Sequence, residues 1–507
     1  MAKLTKEDIV AFANKYLKED NYAVIYKKQG KDPNEKKMTK PEITPIITNR
    51  DVASPFLVEV QESAVKPIEP VFLDYQKDMS QLKAKSDIPV LYKQNVANDL
   101  FQLIYVFDMG NNHDKALGTA FDYLEYLGTS DMTPEELKSE FYRLACTFYV
   151  SPGNERTYVV LSGLNENMPA AVQLFEKLLA DAQVNKEAYT NMTSDILKAR
   201  SDAKLNQGQN FSRLMSFAMY GPKSPATNLL TEVELTNMNP QELVDRIHNQ
   251  NSYKHRILYY GPSSSKDLLA TINQYHQVPA TLKDIPAGNE YAYLETPVTK
   301  VLVAPYDAKQ IYMAQISNLD KKYDPAIEPI RALYDEYFGG GMNSIVFQEM
   351  RETRGLAYSA WASIMPPSYL KYPYVLRTQI ATQNDKMIDA VTTFNDIINN
   401  MPESEAAFKL AKDGLTNRLR TERIIKGDII WSYINAQDLG QNVDPRIKLY
   451  NDIQNMSLKD IVDFQKQWVK GRTYVYCILG DKKDLELDKL KAVGPIEELT
   501  QEQIFGY

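Results

Sequence analysis

The feature that most constrains the fold of this chain is a short internal repeat that occurs three times. Residues 4–25 read LTKEDIVAFANKYLKEDNYAVI, and residues 456–477, MSLKDIVDFQKQWVKGRTYVYC, align with them without a gap. A third copy starts at Met238. Each copy predicts a helix with Thr, Ser or Asn near its start, then a polar turn, then a β-branched and aromatic strand. Copies spaced by roughly one domain length indicate a unit that closes a domain each time.

A second repeat lies inside the segments that these units close. Residues 122–151 and 333–363 both read as helix, glycine-containing loop, helix and strand. Each is followed by a further strand, a polar turn and a long helix. The pattern predicts two homologous α+β domains, at 82–291 and 292–507.

The first copy of the closing unit has no such domain before it in this sequence. Residues 1–27 therefore predict the last helix and strand of a preceding homologous domain, so we expect the chain to be part of a longer protein. The alternative is an independent hairpin. Residues 28–81 are rich in Pro, Lys and Asp and predict an extended linker between two halves, with some apolar positions lying along a surface.

Composition disfavours two classes of partner. The chain has 507 residues, a net charge of −8, 44% hydrophobic residues and 24% charged residues. A negative net charge disfavours nucleic acid and anionic membranes, and no apolar run approaches the ~18 residues needed to span a bilayer. The composition is ordinary for a soluble protein and leaves both a periplasmic and a cytoplasmic location open. Cys146 and Cys477 stand in apolar contexts and are predicted to be buried free thiols.

The most distinctive motif is FGGGMNSIVFQEMRETRGLAY, at residues 338–358. A Walker-type phosphate loop requires Gly-Lys-Ser/Thr, and no lysine follows these glycines, so a nucleotide-dependent enzyme is the least favoured interpretation. The structural alternative is a helix end and turn in which only glycine tolerates a positive φ. Asn343 or Ser344 is expected to cap the next helix, and Gly355 is expected to end it.

Two side chains of this motif are candidates for binding. Arg351 falls in the last predicted helical turn and Tyr358 lies early on the following strand, so they could converge on one patch. A guanidinium beside a phenol is a donor pair suited to a carbonyl oxygen or a carboxylate. The alternative is a solvated arginine and a half-buried tyrosine.

The same stretch resembles the C-terminal-half signature of the insulinase/pitrilysin-type zinc peptidases, which include the mitochondrial processing peptidases. The resemblance lies in the glycine run, the Phe-Gln-Glu helix and the Arg, Gly-Leu and Tyr spacing, and the closing unit also looks like the end of that family's domains. It implies four homologous α+β domains, each a mostly antiparallel sheet covered by helices, in two halves that close around a chamber. Residues 1–27 would then finish the second domain, and 82–507 would be the third and fourth.

In that family the first domain carries the zinc motif His-x-x-Glu-His, and a later glutamate completes the site. None of the four histidines of this chain forms the motif. The equivalent stretch runs from Thr119 to Tyr123, and Asp195 would correspond to the third ligand, but a lone carboxylate cannot hold catalytic zinc. The resemblance implies no metal in this chain and zinc in the missing N-terminal half.

The resemblance also implies roles for the motif at 338–358. Arg351 and Tyr358 match the pair that the C-terminal half offers across the chamber to the active site. Tyr358 would stabilise charge on the substrate carbonyl oxygen, and Arg351 would bind a substrate backbone carbonyl or orient the tyrosine. Gly339, Gly340 and Gly341 would form a flexible lip that contacts the peptide, with a purely structural turn as the alternative.

The function implied is that of the non-zinc half of a zinc metalloendopeptidase, inactive alone. Its partners would be the N-terminal zinc-bearing half, from the same gene or a separate subunit, and a peptide or small unfolded protein as substrate. The alternative is a catalytically silent member that serves as a structural or peptide-binding partner subunit.

Overall fold

The computed structural model of the protein describes residues 4–27, 30, 54–64, 66–308 and 310–507. The chain divides into two compact units, Met1–Pro67 and Ile68–Tyr507. Residues 28, 29, 31–53 and 65 of the linker predicted at 28–81 lie outside the described residues.

The first unit contains the helices α1 (Lys6–Tyr16) and α2 (Pro55–Glu62). Thr5 caps α1, because its Oγ1 accepts a hydrogen bond from the Asp8 N–H at 3.2 Å and the Asp8 carboxylate accepts one from the Thr5 N–H at 2.9 Å. This reciprocal pair is a capping box. The strand that the repeat predicts after α1 is not formed, because residues 22–27 have no pairing neighbour within the described chain.

The second unit contains two domains, each built on a six-stranded sheet. The strands of the first sheet are β1 (Ser80–Lys83), β2 (Pro89–Gln94), β3 (Leu100–Phe107), β4 (Cys146–Pro152), β5 (Thr157–Leu164) and β6 (Arg256–Gly261). The strands of the second sheet are β7 (Lys300–Pro305), β8 (Gln310–Lys322), β9 (Ala357–Met365), β10 (Pro373–Gln383), β11 (Val475–Gly480) and β12 (Ile496–Glu498).

Helices surround both sheets. Those before β7 are α3 (Leu117–Leu124), α4 (Pro134–Arg143), α5 (Met168–Asp181), α6 (Lys186–Lys204), α7 (Gln207–Tyr220), α8 (Glu232–Asn237), α9 (Gln241–Asn249) and α10 (Ser265–Tyr275). Those after β7 are α11 (Glu328–Phe338), α12 (Ile345–Phe347), α13 (Met387–Asn399), α14 (Glu405–Thr421), α15 (Asp428–Asp438), α16 (Pro445–Ile453), α17 (Leu458–Trp468), α18 (Leu487–Leu490) and α19 (Gln501–Phe505).

The two sheets repeat one strand order. The first runs β1-β2-β6-β3-β5-β4 and the second runs β12-β7-β11-β8-β10-β9. In each, a parallel pair, β2–β6 or β7–β11, is followed by three antiparallel pairs. The outer strands differ, since β1 is antiparallel to its neighbour and β12 is parallel. The prediction of α+β domains with mostly antiparallel sheets covered by helices is confirmed.

Each sheet has one face covered by helices of its own domain. In the first domain α3, α5 and α9 supply this layer, with Phe175 fully buried in it. In the second domain α11, α13 and α17 do the same around Phe394. The two thiols are buried and free, as predicted: Cys146 lies on β4 and Cys477 on β11, and they are not bonded to each other. Burial raises the pKa of Cys477 to about 12, which makes it unreactive.

The opposite faces of the sheets are covered by helices exchanged between the domains. From the first domain, α7 packs Leu214 against the second sheet, where Cys477 and Leu479 are buried. From the second domain, α15 packs Ile430 against the first sheet, beside Leu258. Each domain therefore completes the other's core, which joins them into one unit.

Part of the predicted linker is packed structure. Leu73 donates its backbone N–H to Asp444 at 2.9 Å, and the Tyr75 hydroxyl lies 2.9 Å from Ser432 Oγ, so this segment lies on the second domain. The chain then enters the first sheet as β1. Residues 68–81 thus belong to the second unit, because their buried apolar side chains, unlike those of a free linker, contact α15.

Candidate functional site

The glycine run ends α11 and packs it against β9. The N–H groups of Gly339 and Gly340 donate to the Asp335 carbonyl at 3.0 and 2.7 Å. A Cβ on Gly339 would lie only 2.1 Å from the carbonyl oxygen of Ala362. A Cβ on Gly341 would lie 3.9 Å from its nearest neighbour, Glu336 Oε1, which is an ordinary contact. None of the three glycines has a positive φ. The expectation of positive φ is therefore wrong, and close approach of helix and strand is what requires glycine at 339.

Polar side chains of α11 hold the outer edge of β9. Asp335 accepts hydrogen bonds from the Ile364 N–H and the Ser363 hydroxyl, both at 2.9 Å, and pairs with Arg331 at 2.8 Å. Burial raises the pKa of Asp335 to about 6, so its carboxylate is charged at neutral pH and can accept all three bonds. The strand that carries Tyr358 is therefore anchored at its far end.

The helix after the glycines begins and ends as the sequence predicts. Ser344 caps it, with Oγ accepting from the Phe347 N–H at 3.3 Å. Gly355 follows the helix with φ +56°. The helix continues from α12 into a π-helical turn at Gln348–Thr353, which the sequence did not indicate. Such wide turns are rare and occur often at functional sites.

Arg351 and Tyr358 meet at the end of this π-helical turn. The Arg351 guanidinium lies over the Tyr358 ring, 4.7 Å from its centroid, and 5.0 Å from the ring of Phe347. Tyr358 is 79% exposed, not half-buried. The guanidinium stacks on the ring face instead of standing beside the hydroxyl, so the phenol O–H points to no partner among the described residues.

The stretch that the sequence predicts to be equivalent to the zinc motif makes other contacts in the structure. Tyr123, on α3, donates its hydroxyl to the Asn185 carbonyl at 2.6 Å and accepts the Asn185 N–H at 2.8 Å. Thr119 is half-buried on α3, and Asp195 is exposed on α6. Across the residues that the structure describes, no group of three or more His, Cys, Asp or Glu side chains could hold a metal ion.

A buried polar network was not found from the sequence. His276 lies with Nδ1 2.6 Å from Glu176 Oε1 and Nε2 2.8 Å from His255 Nε2. His255 donates its Nδ1–H to the Tyr253 carbonyl at 2.7 Å, because a carbonyl only accepts. Burial lowers the pKa of His255 to about 3. The ring is thus neutral, and its Nε2 accepts from His276. No local pattern predicts contacts between residues 100 positions apart.

A cavity of about 930 Å³ lies where the two domains meet. Asp108 and His255 line it from the first domain, and Tyr433 and Asp438 line it from α15. Arg156 bridges the domains beside it, with two hydrogen bonds of 2.6 Å to Asp438. The candidate pair at 351 and 358 is not part of this cavity.

Comparison with known proteins identifies the fold and the motif. A model of the family described as "Peptidase M16 inactive domain" matches residues 257–415, which include the glycine run, Arg351 and Tyr358. This segment of the chain matches the M16 inactive-domain family. The resemblance to the insulinase/pitrilysin-type peptidases is confirmed, and the match falls on the inactive type of domain.

The chain is similar to a protein of comparable length and, in fold, to solved structures of about twice its length. The Helicobacter pylori protein "Non-peptidase homolog YmxG" is 24% identical over 79% of this chain and 93% of its own length. Two solved structures, each covering 94% of this chain, are the Escherichia coli periplasmic protease PqqL (13% identity, TM-score 0.63) and the ferredoxin protease FusC in complex with Arabidopsis ferredoxin (11%, 0.61). The chain matches 51% of each of these two structures, about half their length.

Every helix in the described part of the chain is too short or too polar to span a bilayer.

Proposed function

We propose that this chain is the non-zinc half of a zinc metalloendopeptidase and completes an active site whose metal lies in another half. The observation that carries the proposal is the exposed Tyr358 ring with Arg351 stacked on its face. The inactive-domain match across residues 257–415 supports it. The half-length match to two proteases supports the existence of a second half.

Tyr358 supplies a hydrogen-bond donor to the reaction. When hydroxide attacks a peptide carbonyl, negative charge grows on the carbonyl oxygen, and a preplaced phenol O–H stabilises that charge. Because the hydroxyl has no partner within the described chain, no internal hydrogen bond has to break before it donates. The chemistry of the metal, activation of water, belongs to the zinc-bearing half.

Arg351 holds the tyrosine ring in place and offers further donors. A cation over an exposed aromatic ring contributes about 0.5–1 kcal/mol, enough to favour one orientation of Tyr358. Its carboxylate neighbour, Glu352, is 3.6 Å away, which is too long for a strong hydrogen bond. The guanidinium N–H groups therefore remain available to a substrate backbone carbonyl.

The glycine run contributes a peptide-contacting lip beyond its packing role. Gly339 is buried against β9, whereas Gly340, Met342 and Asn343 are exposed. Short or absent side chains at 340 and 341 let a peptide backbone approach closely. The substrate class is a peptide or small unfolded protein, and the ferredoxin bound to FusC supports a protein substrate for this fold.

The decisive experiment measures cleavage of a quenched fluorescent peptide. This chain is combined with the His-x-x-Glu-His polypeptide encoded immediately upstream, either as a separate chain or within one reading frame. We expect no cleavage and no stoichiometric zinc from this chain alone, and cleavage from the combination. Tyr358→Phe should then lower kcat by about 10²–10³ with little change in KM.

Tyr149→Phe is the matched control, because Tyr149 is an exposed tyrosine on β4, the edge strand equivalent to β9. It should leave kcat unchanged. Equal kcat for Tyr358→Phe and the unmodified assembly would show that the tyrosine has no part in the reaction. A genome with no His-x-x-Glu-His polypeptide beside this chain would contradict the proposed function itself.

A second candidate function is that of a catalytically silent partner subunit. It is favoured by the Helicobacter pylori relative, a protein of similar length whose name declares it a non-peptidase homolog. Assembly with the upstream polypeptide without any peptide cleavage, together with peptide binding that is insensitive to Tyr358→Phe, would favour this function over the first.

A further inference from the structure

The second sheet is only partly covered on the face that packs against α7. The middle of that face is buried, with Ala314 on β8 and Cys477 on β11 in the core that α7 completes. Among the described residues, β9 adds no side chain to this core. The row of paired residues that starts at Cys477 ends at Trp361, which is half-buried. The accessible part of this face, here termed the open strip, comprises Ser359, Trp361, Arg377, Gln379 and Ala381.

The open strip begins beside Tyr358. Ala357 pairs with Thr382 and Ser359 pairs with Ala381, so Tyr358 is the extra residue of a β-bulge. A bulge changes the direction of the side chain that it carries. Ser359 is exposed and Ala381 is half-buried. The exposed tyrosine and the open strip therefore form one continuous surface at the edge of the sheet.

Arg377 is a cation without a counter-ion in this strip. Its guanidinium lies 5.2 Å from the centroid of the Trp361 ring, and its Nη2 donates to Gln379 Oε1 at 2.8 Å. Its Nε is buried without a hydrogen-bond partner. Burial lowers the pKa of Arg377, and within the described chain no carboxylate pairs with it.

Other largely buried arginines of this chain have carboxylate partners. Arg156, Arg331 and Arg446 each pair with two of them. Removing a charge from water is costly unless an opposite charge offsets the loss. Because an arginine remains charged in a protein, an anion that binds at Arg377 would supply the missing compensation.

The groups around Arg377 are hydrogen-bond donors. Arg377 Nη1, Gln379 Nε2 and the Trp361 indole N–H have no partner among the described residues. The one side-chain acceptor of the three residues, Gln379 Oε1, already accepts from Arg377. A guanidinium with further donors beside it suits a carboxylate. The net charge of −8 disfavours large polyanions.

We propose that Arg377, Gln379 and Trp361 form a subsite that binds a carboxylate of the peptide substrate, about four residues from the bond that is cleaved. The spacing follows from β10, where Arg377 lies four positions from Ala381, roughly 13 Å along the strand. An extended peptide covers that distance in the same number of residues. This inference rests on the proposed function, because the substrate and the cleaved bond are taken from it. The carboxylate is either an acidic side chain or the C-terminus of the peptide.

The test uses quenched fluorescent peptides and the assembly of this chain with the His-x-x-Glu-His polypeptide. The peptides have amidated ends and differ by a single glutamate in place of glutamine, moved through six positions on each side of the cleaved bond. One further peptide ends in a free carboxylate four residues after that bond. Binding of the same peptides to this chain alone is measured by fluorescence anisotropy.

We expect glutamate four residues from the bond, on one side of it, to raise kcat/KM about 10-fold or more, mainly through KM. Binding to this chain alone should tighten by a similar factor. Arg377→Gln should make the glutamate and glutamine peptides equal, and Arg377→Lys, which keeps the charge, should retain part of the preference. The melting temperature of Arg377→Gln should not fall, because no ion pair is lost.

Arg472→Gln is the matched control. Arg472 is another half-buried arginine whose pKa burial lowers, and it donates its Nε–H to the Trp468 carbonyl, away from the open strip. Its variant should keep the full preference for glutamate. A preference confined to the free C-terminus would support the subsite and assign its ligand to the chain end. Equal results for glutamate and glutamine at every position, or a preference that persists in Arg377→Gln, would overturn the subsite.

The outcomes separate this inference from the proposed function. Glutamate-dependent binding to this chain, lost in Arg377→Gln, without cleavage by the assembly would contradict the catalytic role and leave the subsite standing. Cleavage without any preference for a carboxylate would contradict the subsite and leave the catalytic role standing.

Discussion

The helices α1 and α17 carry the same pattern of side chains in two different surroundings. Around α17, Ile461, Phe464 and Trp468 lie in the core of the second domain. Their counterparts on α1 are all exposed in the described residues. Both helices form, but only the copy that has a sheet beside it also forms a strand, β11.

This difference separates what a segment encodes locally from what it needs from its surroundings. A capping box acts within four residues, so it can start a helix wherever the segment lies. A strand is defined by hydrogen bonds to neighbours, and isolated strands are not stable in water. The repeat therefore predicts helices correctly in all copies and strands only where the sheet is present.

The largest expected effect is a loss of stability on truncation of the buried member of the aligned pair Phe464 and Phe12. Phe464→Ala should lower the free energy of unfolding by about 3–5 kcal/mol, because it leaves a cavity in the second core. Phe12→Ala in the isolated chain should change it by less than about 0.5 kcal/mol, because the ring is exposed. Urea denaturation followed by circular dichroism measures both. Similar losses for the two variants would show that α1 is packed in solution.

The middle copy of the repeat, which starts at Met238, adds a pH-dependent test of burial, because it contains His255 immediately before β6. Its folded-state pKa is lowered to about 3 from an ordinary 6.5, so the unfolded chain takes up a proton that the folded chain excludes. Stability should therefore fall as the pH drops below 6.5 toward 3, with a slope of up to about 1.4 kcal/mol per pH unit.

Denaturation midpoints between pH 4.5 and 7.5 measure this slope, and His255→Gln should flatten it. His248→Gln is the control, because the His248 ring hydrogen-bonds the Ala182 carbonyl at 3.1 Å and, among the described residues, takes no part in the Glu176–His276–His255 network. An unchanged acid slope in the His255 variant would mean that the network does not exclude the proton.

The smallest expected effect is the loss of stability when the acidic residue of a capping box, Asp460 or Asp8, is removed. Asp460 accepts a hydrogen bond from the Ser457 N–H at 2.8 Å, as Asp8 does from Thr5. Asp460→Ala should cost about 0.5–1 kcal/mol of global stability through the lost cap and helix-end charge. Asp8→Ala should reduce only the helix content of α1, measured by amide chemical shifts. A global loss from Asp8→Ala would show that folding of the two units is coupled.

Local chemistry made much of the candidate site predictable. The cap at Ser344 and the end at Gly355 follow from side-chain hydrogen bonding and from glycine's freedom at positive φ. These two points fix where the helix stops and the strand starts, and so bring Arg351 near Tyr358. The stacked geometry could not be predicted, because the π-helical turn that sets it has no sequence signature.

Contacts between distant segments could not be predicted from the sequence. The packing of α7 and α15 on the sheet of the other domain depends on long-range complementarity, and the sequence of each helix shows only an ordinary amphipathic segment. The packing of residues 68–81 and the Glu176–His276–His255 network also depend on contacts between residues far apart in the sequence. The need for glycine at 339 also comes from a neighbour, the carbonyl of Ala362.

The amino-acid sequence by itself determined the repeated helices, the two α+β domains, the motif at 338–358 and the proximity of Arg351 to Tyr358, because periodicity, caps and turn residues act over a few positions. Tertiary structure alone decided which copy of the repeat is buried, which helix covers which sheet and which histidines share a proton network. Those outcomes depend on surfaces brought together from distant parts of the chain, and burial is a property of the surroundings, not of the segment.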